Sequence, residues 1–511
     1  MVPTSPRPFP WISITRFPQV GQPYAFADRK EEVARLYKAT VAAGNAVRAD
    51  QPGARYRAVV SGYKGVGKSS VIMQVLGMIR DPLGVVDGRV LTLPPDLPEP
   101  KNRERWLILS VSGKLAPSVD AIADALQKAV LSTFEGVEDE VERRTAGMLD
   151  IRWYHHLFKR REKKLFTEVQ SALTTFSLMI DFVRAWQGSR LKESVERSNQ
   201  TDTTREITAY LEGQLKVKGV RPESAEGVAA IKLSGNYIRK WTSMFKASAT
   251  MERESIISAD LVTDALNAFF KTTDKAGIPT ILVLDDFDEF ASNVGPSHGE
   301  RSRVLANVLG TFNQLRPTCL FIGVREEYMH EDVFRQFDVH HIPPMTRRYA
   351  AEALDAWARV QLPPLTPDAS LALQAFGDRF LAYFAEDAPV VVPFRFLQMV
   401  AWIGNNALDR AGSDADRILA FLRGTYNGET FRAVHRLANV MPVDDIALCA
   451  EAVPIDPDLY SITSRENRAL VSAGLLRPAM AGDAEDTRVV IDPLIAYLSA
   501  ALRFASVTPS A

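Results

Sequence analysis

The sequence has little of what marks a secreted or membrane-spanning chain. Only two cysteines, Cys319 and Cys449, occur in 511 residues, too few for a disulfide framework or a cysteine-based zinc site. No run of 18 apolar residues is present, and residues 1–18 lack the basic start and apolar stretch of a signal peptide. We therefore expect a cytoplasmic protein that does not enter the membrane.

The net charge is also close to zero, because the sequence has 61 lysines and arginines and 62 aspartates and glutamates, which sum to −1. The whole molecule offers no electrostatic attraction for a polyanion, so any surface that binds nucleic acid must be a local patch. The composition, 46% hydrophobic and 24% charged, is that of a globular protein. The length predicts two or three domains.

A glycine-rich segment carries the strongest functional signal. It follows a short apolar run at 56–60 that predicts a strand, and it precedes residues 71–79, whose apolar residues have helical spacing. The segment fits the pattern G-x-x-x-x-G-K-S, the P-loop. Its backbone N–H groups surround phosphate oxygens, its lysine reaches the β- and γ-phosphates, and its serine ligates magnesium. We therefore predict a site for ATP and Mg²⁺ formed by Gly62, Tyr63, Lys64, Gly65, Val66, Gly67, Lys68, Ser69 and Ser70.

A second apolar run, at 281–284, ends in two acids, Asp285 and Asp286. Ligands of open α/β sheets bind at the carboxyl edge of the strands, where these acids are expected. Asp285 would hold the magnesium ion together with Ser69, and Asp286 would orient or deprotonate the attacking water. Asp288 and Glu289 remain alternatives for that base.

The order of predicted elements indicates an α/β fold. Strands at 106–111 and 318–325 and a helix at 118–131 extend the pattern to a parallel sheet with helices on both faces. The 217 positions between Lys68 and Asp285 exceed what a βαβ unit needs, which predicts a large helical insertion. The predicted divisions are a proline-rich segment 1–25, a first core part 26–134, the insertion 135–276, a second core part 277–345, a helical lid 346–424 and a C-terminal domain 425–511.

These motifs resemble the AAA+ superfamily, in the branch of origin-recognition ATPases, replication initiators, transposition ATPases and STAND-like signalling NTPases. The resemblance covers about residues 26–407 and implies an adenine-flanking segment at 26–32. It also implies a sensor position at Arg325, an arginine finger at Arg335 that completes the site of a neighbouring subunit, and a second sensor at Arg395 near the γ-phosphate.

Two positions depart from the family pattern. The usual residue at Arg325 is small and polar, so this side chain would contact the γ-phosphate or pair with an acid. Many relatives have glutamate where Asp286 stands, which implies slow hydrolysis.

The C-terminal residues 425–511 resemble a winged-helix domain. They contain seven arginines and eleven acids, a net charge of −4, which opposes DNA binding and favours protein contact or autoinhibition. Residues 152–164 combine cations with aromatics and are the better candidate for DNA, although a solvated amphipathic helix has the same pattern.

Three functions remain open from the sequence. The first is a nucleotide-dependent oligomeric machine or loader that acts on DNA or on a partner protein, with Arg335 implying a homo-oligomer. The second is a slow NTP-dependent signalling switch, for example in anti-phage defence. The third is a scaffold that binds ATP without turnover.

Overall fold

The computed structural model describes part of the chain. The described residues are 12–13, 29–47, 54–80, 85–86, 89–90, 97–101, 106–112, 174–175, 178–179, 181, 200–217, 222, 231, 234, 254–275, 277–285, 309–310, 312–329, 334–361, 367–387, 389–406, 412–450, 453, 455–456, 460–478 and 489–504. Asp286, Asp288, Glu289, the predicted helix 118–131 and the basic segment 152–164 lie outside them.

Ten strands and twelve α-helices can be delimited in these residues. The strands are β1 (Ile12–Ser13), β2 (Tyr56–Gly62), β3 (Val85–Val86), β4 (Arg89–Val90), β5 (Leu107–Ser112), β6 (Thr280–Asp285), β7 (Cys319–Arg325), β8 (Asp338–His341), β9 (Leu476–Pro478) and β10 (Val489–Ile491). The helices are α1 (Lys30–Ala46), α2 (Lys68–Arg80), α3 (Gln200–Val217), α4 (Glu254–Lys275), α5 (Arg347–Gln361), α6 (Pro367–Ala382), α7 (Pro393–Asn406), α8 (Asp414–Thr425), α9 (Gly428–Val440), α10 (Val443–Ala450), α11 (Ser464–Ala473) and α12 (Pro493–Phe504).

The predicted parallel sheet is confirmed. Six strands pair in the order β1-β5-β6-β7-β2-β8, and every pair is parallel. The strands that carry the glycine loop and Asp285 are therefore separated by β7. Because parallel strands share one carboxyl edge, the ends of β2, β6 and β7 meet on the same side of the sheet.

Both faces of the central strands are buried, as their continuous apolar runs predict. Every residue of β6 and β7 is buried. Alternate residues such as Val283 and Phe321 join one hydrophobic cluster with α1 and α2. Helix α4 contacts β6 and contributes no residue to that cluster, so it covers the opposite face.

The position of α4 changes one predicted boundary. The Thr273 hydroxyl hydrogen-bonds the Thr280 hydroxyl at 2.9 Å, which ties the last turn of α4 to the start of β6. The Asn267 side chain donates to the Gln314 carbonyl and accepts from the Arg316 N–H, at 3.0 and 2.8 Å. This helix therefore belongs to the sheet domain, although the sequence places it in the insertion. Its charged, amphipathic sequence resembles that of the insertion, and only its packing distinguishes it.

Strand β8 is not predicted from the sequence, because only one of its four residues, His340, is buried. The strand pairs with β2 at the sheet edge and is stabilised by polar contacts instead. The His340 Nε2 atom lies 2.8 Å from Asp338 Oδ2 and 2.9 Å from the Tyr56 hydroxyl, and Nδ1 accepts from Arg35 Nε at 3.1 Å. Burial lowers the pKa of His340.

The predicted lid and C-terminal domain share one hydrophobic cluster, which extends from Met345 to Ala500. The predicted boundary at 424/425 falls at the end of α8, inside this cluster. Strands β9 and β10 form an antiparallel hairpin, and Ile455 bridges to Val489 beside it. In the described part of the chain, no helix is both long and apolar enough to span a bilayer.

Candidate functional site

The glycine segment forms the strand, loop and helix that its sequence predicts. Strand β2 ends at Gly62 and α2 begins at Lys68. The loop glycines Gly62, Gly65 and Gly67 have φ values of 149°, 86° and 100°, which side-chain-bearing residues rarely adopt. A Cβ at Gly62 would also lie 2.4 Å from the Ile342 carbonyl oxygen. Both conformation and space therefore require glycine at the start of the loop.

Lys68 is held across the loop. Its side chain is buried, and its Nζ donates to the carbonyls of Gly62 and Tyr63, both at 3.0 Å. These bonds fix the ammonium inside the curve of the loop, where a phosphate group would enter. Ser69 and Ser70 follow in the first turn of α2 and are half-buried. No acid occurs in that turn, so the helix N-terminus favours an anion.

Asp285 ends β6 and is 2% exposed. A Cβ built on Gly323 of β7 would lie 2.3 Å from Asp285 Oδ1, so the carboxylate occupies the space that the missing side chain leaves. Gly323 is paired with Val60 of the P-loop strand. The carboxylate thus lies over the strand that separates β6 from β2. Sequence reasoning missed the role of Gly323, and the signal was a lone glycine inside an apolar strand.

Arg325 ends β7 at the same edge of the sheet. It is paired with Gly62, the first residue of the loop, and is 7% exposed. The structure therefore places Arg325 beside the P-loop, where the resemblance puts a sensor residue. Asp286, the candidate base, follows Asp285 directly but lies outside the described residues.

Arg335 lies between β7 and β8. It is exposed, while the neighbouring Phe334 and Phe337 are buried against each other, with ring centroids 5.6 Å apart. Arg335 therefore lies at the surface of the described part of the chain.

Arg395, which the resemblance places near the γ-phosphate, contacts other residues of the chain in this structure. It lies in the first turn of α7, and that turn contacts the P-loop, because the Phe394 N–H donates to the Gly65 carbonyl at 3.0 Å. The guanidinium, however, is buried and ion-paired with Asp492, and it donates to the carbonyls of Gly474 and Ala473 at 2.8 and 3.3 Å. The family resemblance implies a phosphate near this guanidinium, and the structure places a carboxylate from the C-terminal domain beside it.

The chain's donor groups suit magnesium bound together with a nucleotide. Ser69 and Asp285 supply a hydroxyl and a carboxylate, the oxygen ligands that Mg²⁺ prefers, and Mg²⁺ usually takes only one or two carboxylates plus substrate phosphates. Among the described residues there is no group of three or more histidine, cysteine or acidic side chains that would bind a metal by itself. The residues present therefore fit a nucleotide-bound ion rather than an independent metal centre.

Comparisons with known proteins add little to this geometry. No protein-family model matches the chain, and no curated protein matches it. Among solved structures, the chain is similar to one described as the Aeropyrum pernix ORC2 protein in ADPNP–ADP complexes, with 10% identity, 94% of each chain covered and a TM-score of 0.32. Likeness at this level decides neither the fold nor the function, so both are inferred from the chain itself.

Proposed function

We propose that this chain binds ATP with Mg²⁺ at the P-loop and hydrolyses it slowly. The observation that carries the proposal is the position of Lys68, which is fixed by two loop carbonyls inside a turn that only glycines can form. The loop backbone, the buried Lys68 ammonium and the N-terminus of α2 lie together in this segment, and a polyphosphate is bound by these three kinds of group.

Each residue has a role in this proposal. Lys68 binds the β- and γ-phosphates, and Ser69 and Asp285 hold Mg²⁺, which neutralises charge that develops on the phosphates. Asp286 orients or deprotonates the attacking water. Arg325, at the end of β7, contacts the γ-phosphate from the sheet edge.

The wider function we propose is that of a nucleotide-dependent assembly of identical chains, related to AAA+ ATPases, which acts on a partner protein or on DNA. The exposed position of Arg335 supports a contact with the site of a neighbouring subunit. The helices α9–α12 and the β9–β10 hairpin support a winged-helix domain at 425–511. Its net charge of −4 favours a protein partner, and the segment 152–164 is the candidate surface for DNA.

A nucleotide-dependent switch is the second candidate function. The observation that favours it is the contact of the C-terminal domain with the P-loop, because a Cβ at Gly474 would lie 3.2 Å from the Lys64 Cβ. A domain that touches the loop in this way can respond to what the loop binds.

Calorimetric titration of Lys68→Ala with ATP and Mg²⁺ tests the site. We expect binding to be lost, because the variant removes the cation that is fixed inside the loop. The matched control is Lys271→Ala, the same chemical change at an exposed position of α4. If Lys68→Ala binds ATP as tightly as the control variant, the site is wrong.

A further inference from the structure

A cavity of about 480 Å³ lies where the tip of the P-loop, the lid and the C-terminal domain meet. Its volume is within the range of small-molecule sites, about 300–1,000 Å³, and such sites often lie at domain interfaces. All three parts of the chain contribute lining residues, which include Lys64, Gly65, Phe394, Gln398, Asn427 and Thr430. We call this space the interdomain cavity.

The interdomain cavity is separate from the proposed nucleotide site, because Lys68, Ser69 and Asp285 are not among its lining residues. Its lining in the described part of the chain contains two cations, Lys64 and Arg395, and no carboxylate. The Arg395 charge is compensated by its ion pair with Asp492, so Lys64 provides the positive charge. This balance of charge suits an anionic ligand and no metal ion.

Helix α9 begins at the wall of the cavity. The Asn427 side-chain oxygen caps the helix by accepting from the Thr430 N–H at 2.8 Å, so its amide nitrogen remains available as a donor. The N-terminus of this 13-residue helix carries partial positive charge that favours an anion. The acid of its first turn, Glu429, does not line the cavity and is paired with Arg465 at 2.5 Å.

The Thr430 side chain points to a ligand independently of the helix N-terminus. Thr430 is 2% exposed and lines the cavity. Throughout the described part of the chain, its hydroxyl has no hydrogen-bond partner, since only its backbone N–H is bonded. A buried polar group ordinarily has a partner. A ligand oxygen in the cavity would provide one.

Phe394 adds an aromatic surface to the same cavity. Its ring lines the cavity and the residue is 63% exposed, which is high for a phenylalanine. Its backbone N–H donates to the Gly65 carbonyl at 3.0 Å, so the residue is held in place beside the loop. A planar heterocycle can stack on an aromatic ring that is presented in this way.

We propose that the interdomain cavity binds a nucleoside monophosphate. The phosphate lies at the N-terminus of α9, where the Thr430 hydroxyl, the Asn427 amide and the Lys64 ammonium donate to its oxygens. The base stacks on Phe394. The inference goes beyond the proposed function and does not depend on it, because it uses none of the residues proposed to hold ATP and magnesium. The bound ligand contacts the P-loop tip, the lid and the C-terminal domain together and so stabilises their contact.

Calorimetry on the 511-residue chain with AMP, ribose 5-phosphate and adenosine as separate probes tests the proposal. We expect AMP to bind most tightly, because it alone has both the phosphate and the base. The titrations contain a chelator, since the cavity needs no metal. Lys68→Ala should bind AMP as wild type does. If this variant loses AMP, the ligand occupies the P-loop and the proposal is overturned.

Asn427→Asp tests the phosphate position. Aspartate caps a helix as well as asparagine does, so α9 keeps its cap, but the new carboxylate repels the phosphate. We expect AMP to bind at least about tenfold more weakly, the scale of a lost hydrogen bond to a charged group, while adenosine is unaffected. Asn439→Asp is the matched control, because it places the same charge at the exposed far end of α9.

Phe394→Ala tests the position of the base. AMP should bind at least about fivefold more weakly, as expected when a stacking ring is removed, whereas ribose 5-phosphate should be unaffected. Leu371→Ala is the matched control, since Leu371 is 64% exposed and lies outside the cavity. AMP that fails to bind wild type, or that binds either cavity variant as tightly as its control, overturns the proposal. Loss of ATP binding in Lys68→Ala is a separate result, which concerns the proposed function alone.

Discussion

Replacing Gly323 with alanine should disturb the proposed magnesium site without changing any residue that we propose to bind the nucleotide. A methyl group at this position would lie 2.3 Å from Asp285 Oδ1, and the carboxylate would have to move about 1 Å to reach the 3.4 Å of an ordinary contact. Magnesium demands near-ideal octahedral geometry, so it does not follow a ligand over such a distance. Gly323→Ala should therefore weaken magnesium-dependent nucleotide binding.

The substitution should lower both the affinity for magnesium and the free energy of unfolding, and each loss can be estimated separately. Displacing a group that orients a metal ligand reduces metal affinity by about 10- to 100-fold. Overpacking of a buried strand costs about 1–3 kcal/mol, offset by about 0.5–1 kcal/mol because alanine restricts the unfolded chain more than glycine. We expect a net loss of about 1–2 kcal/mol in the free energy of unfolding, which leaves the chain folded.

The assay is a magnesium titration of a fluorescent ATP analogue, repeated with chelator to measure metal-free binding. Gly213→Ala is the matched control, because a Cβ at this exposed position of α3 meets no atom within 4 Å. That variant should bind magnesium normally and gain about 1 kcal/mol of stability from helix propensity. Normal magnesium dependence in Gly323→Ala would show that the close approach to Gly323 does not position Asp285.

Three further predictions concern catalysis, assembly and pH. Asp286→Asn should keep ATP binding and lower turnover by at least about 10²-fold; undiminished turnover would assign the base to a later acid of the loop. Mixing Arg335→Ala with Lys68→Ala chains should restore part of the ATPase activity, because a mixed assembly contains some intact sites and a finger supplied in trans is worth about 10³-fold or more. Activity as low as in either variant, with association still visible by light scattering, would make Arg335 structural. Burial lowers the pKa of His340 below 6.5, so the unfolded chain takes up this proton first and the folded state loses stability as pH falls below that value. His340→Gln should reduce the slope by at most about 1.4 kcal/mol per pH unit, as measured by urea unfolding; an unchanged slope would exclude His340 as its source.

Much of the sheet and the loop could be predicted from the sequence, because the physics there is local. Strands β6 and β7 follow from continuous apolar runs because every one of their residues is buried, and β2 and β5 contain shorter apolar runs, Ala58–Val60 and Leu107–Leu109, that are also buried. The P-loop can be recognised in the sequence because its glycines adopt positive φ values that other residues rarely adopt, and its lysine follows at a fixed spacing. The edge strand β8 was missed for the opposite reason, since polar contacts to Tyr56 and Arg35 replace apolar burial.

The sequence by itself determined which chemical groups this chain offers: a glycine loop with a lysine and a serine of the P-loop pattern, and acids at the end of an apolar strand. Only the tertiary structure decided what those groups face. Gly323 matters because it lies under Asp285, from which it is 38 positions distant in the chain, and Arg395 meets Asp492 across 97 positions. Buried charged groups need such partners, because a charged side chain removed from water is destabilising unless an opposite charge or hydrogen-bonding groups contact it. No local sequence pattern shows the Arg395–Asp492 pair, because the two residues become neighbours only in the folded chain.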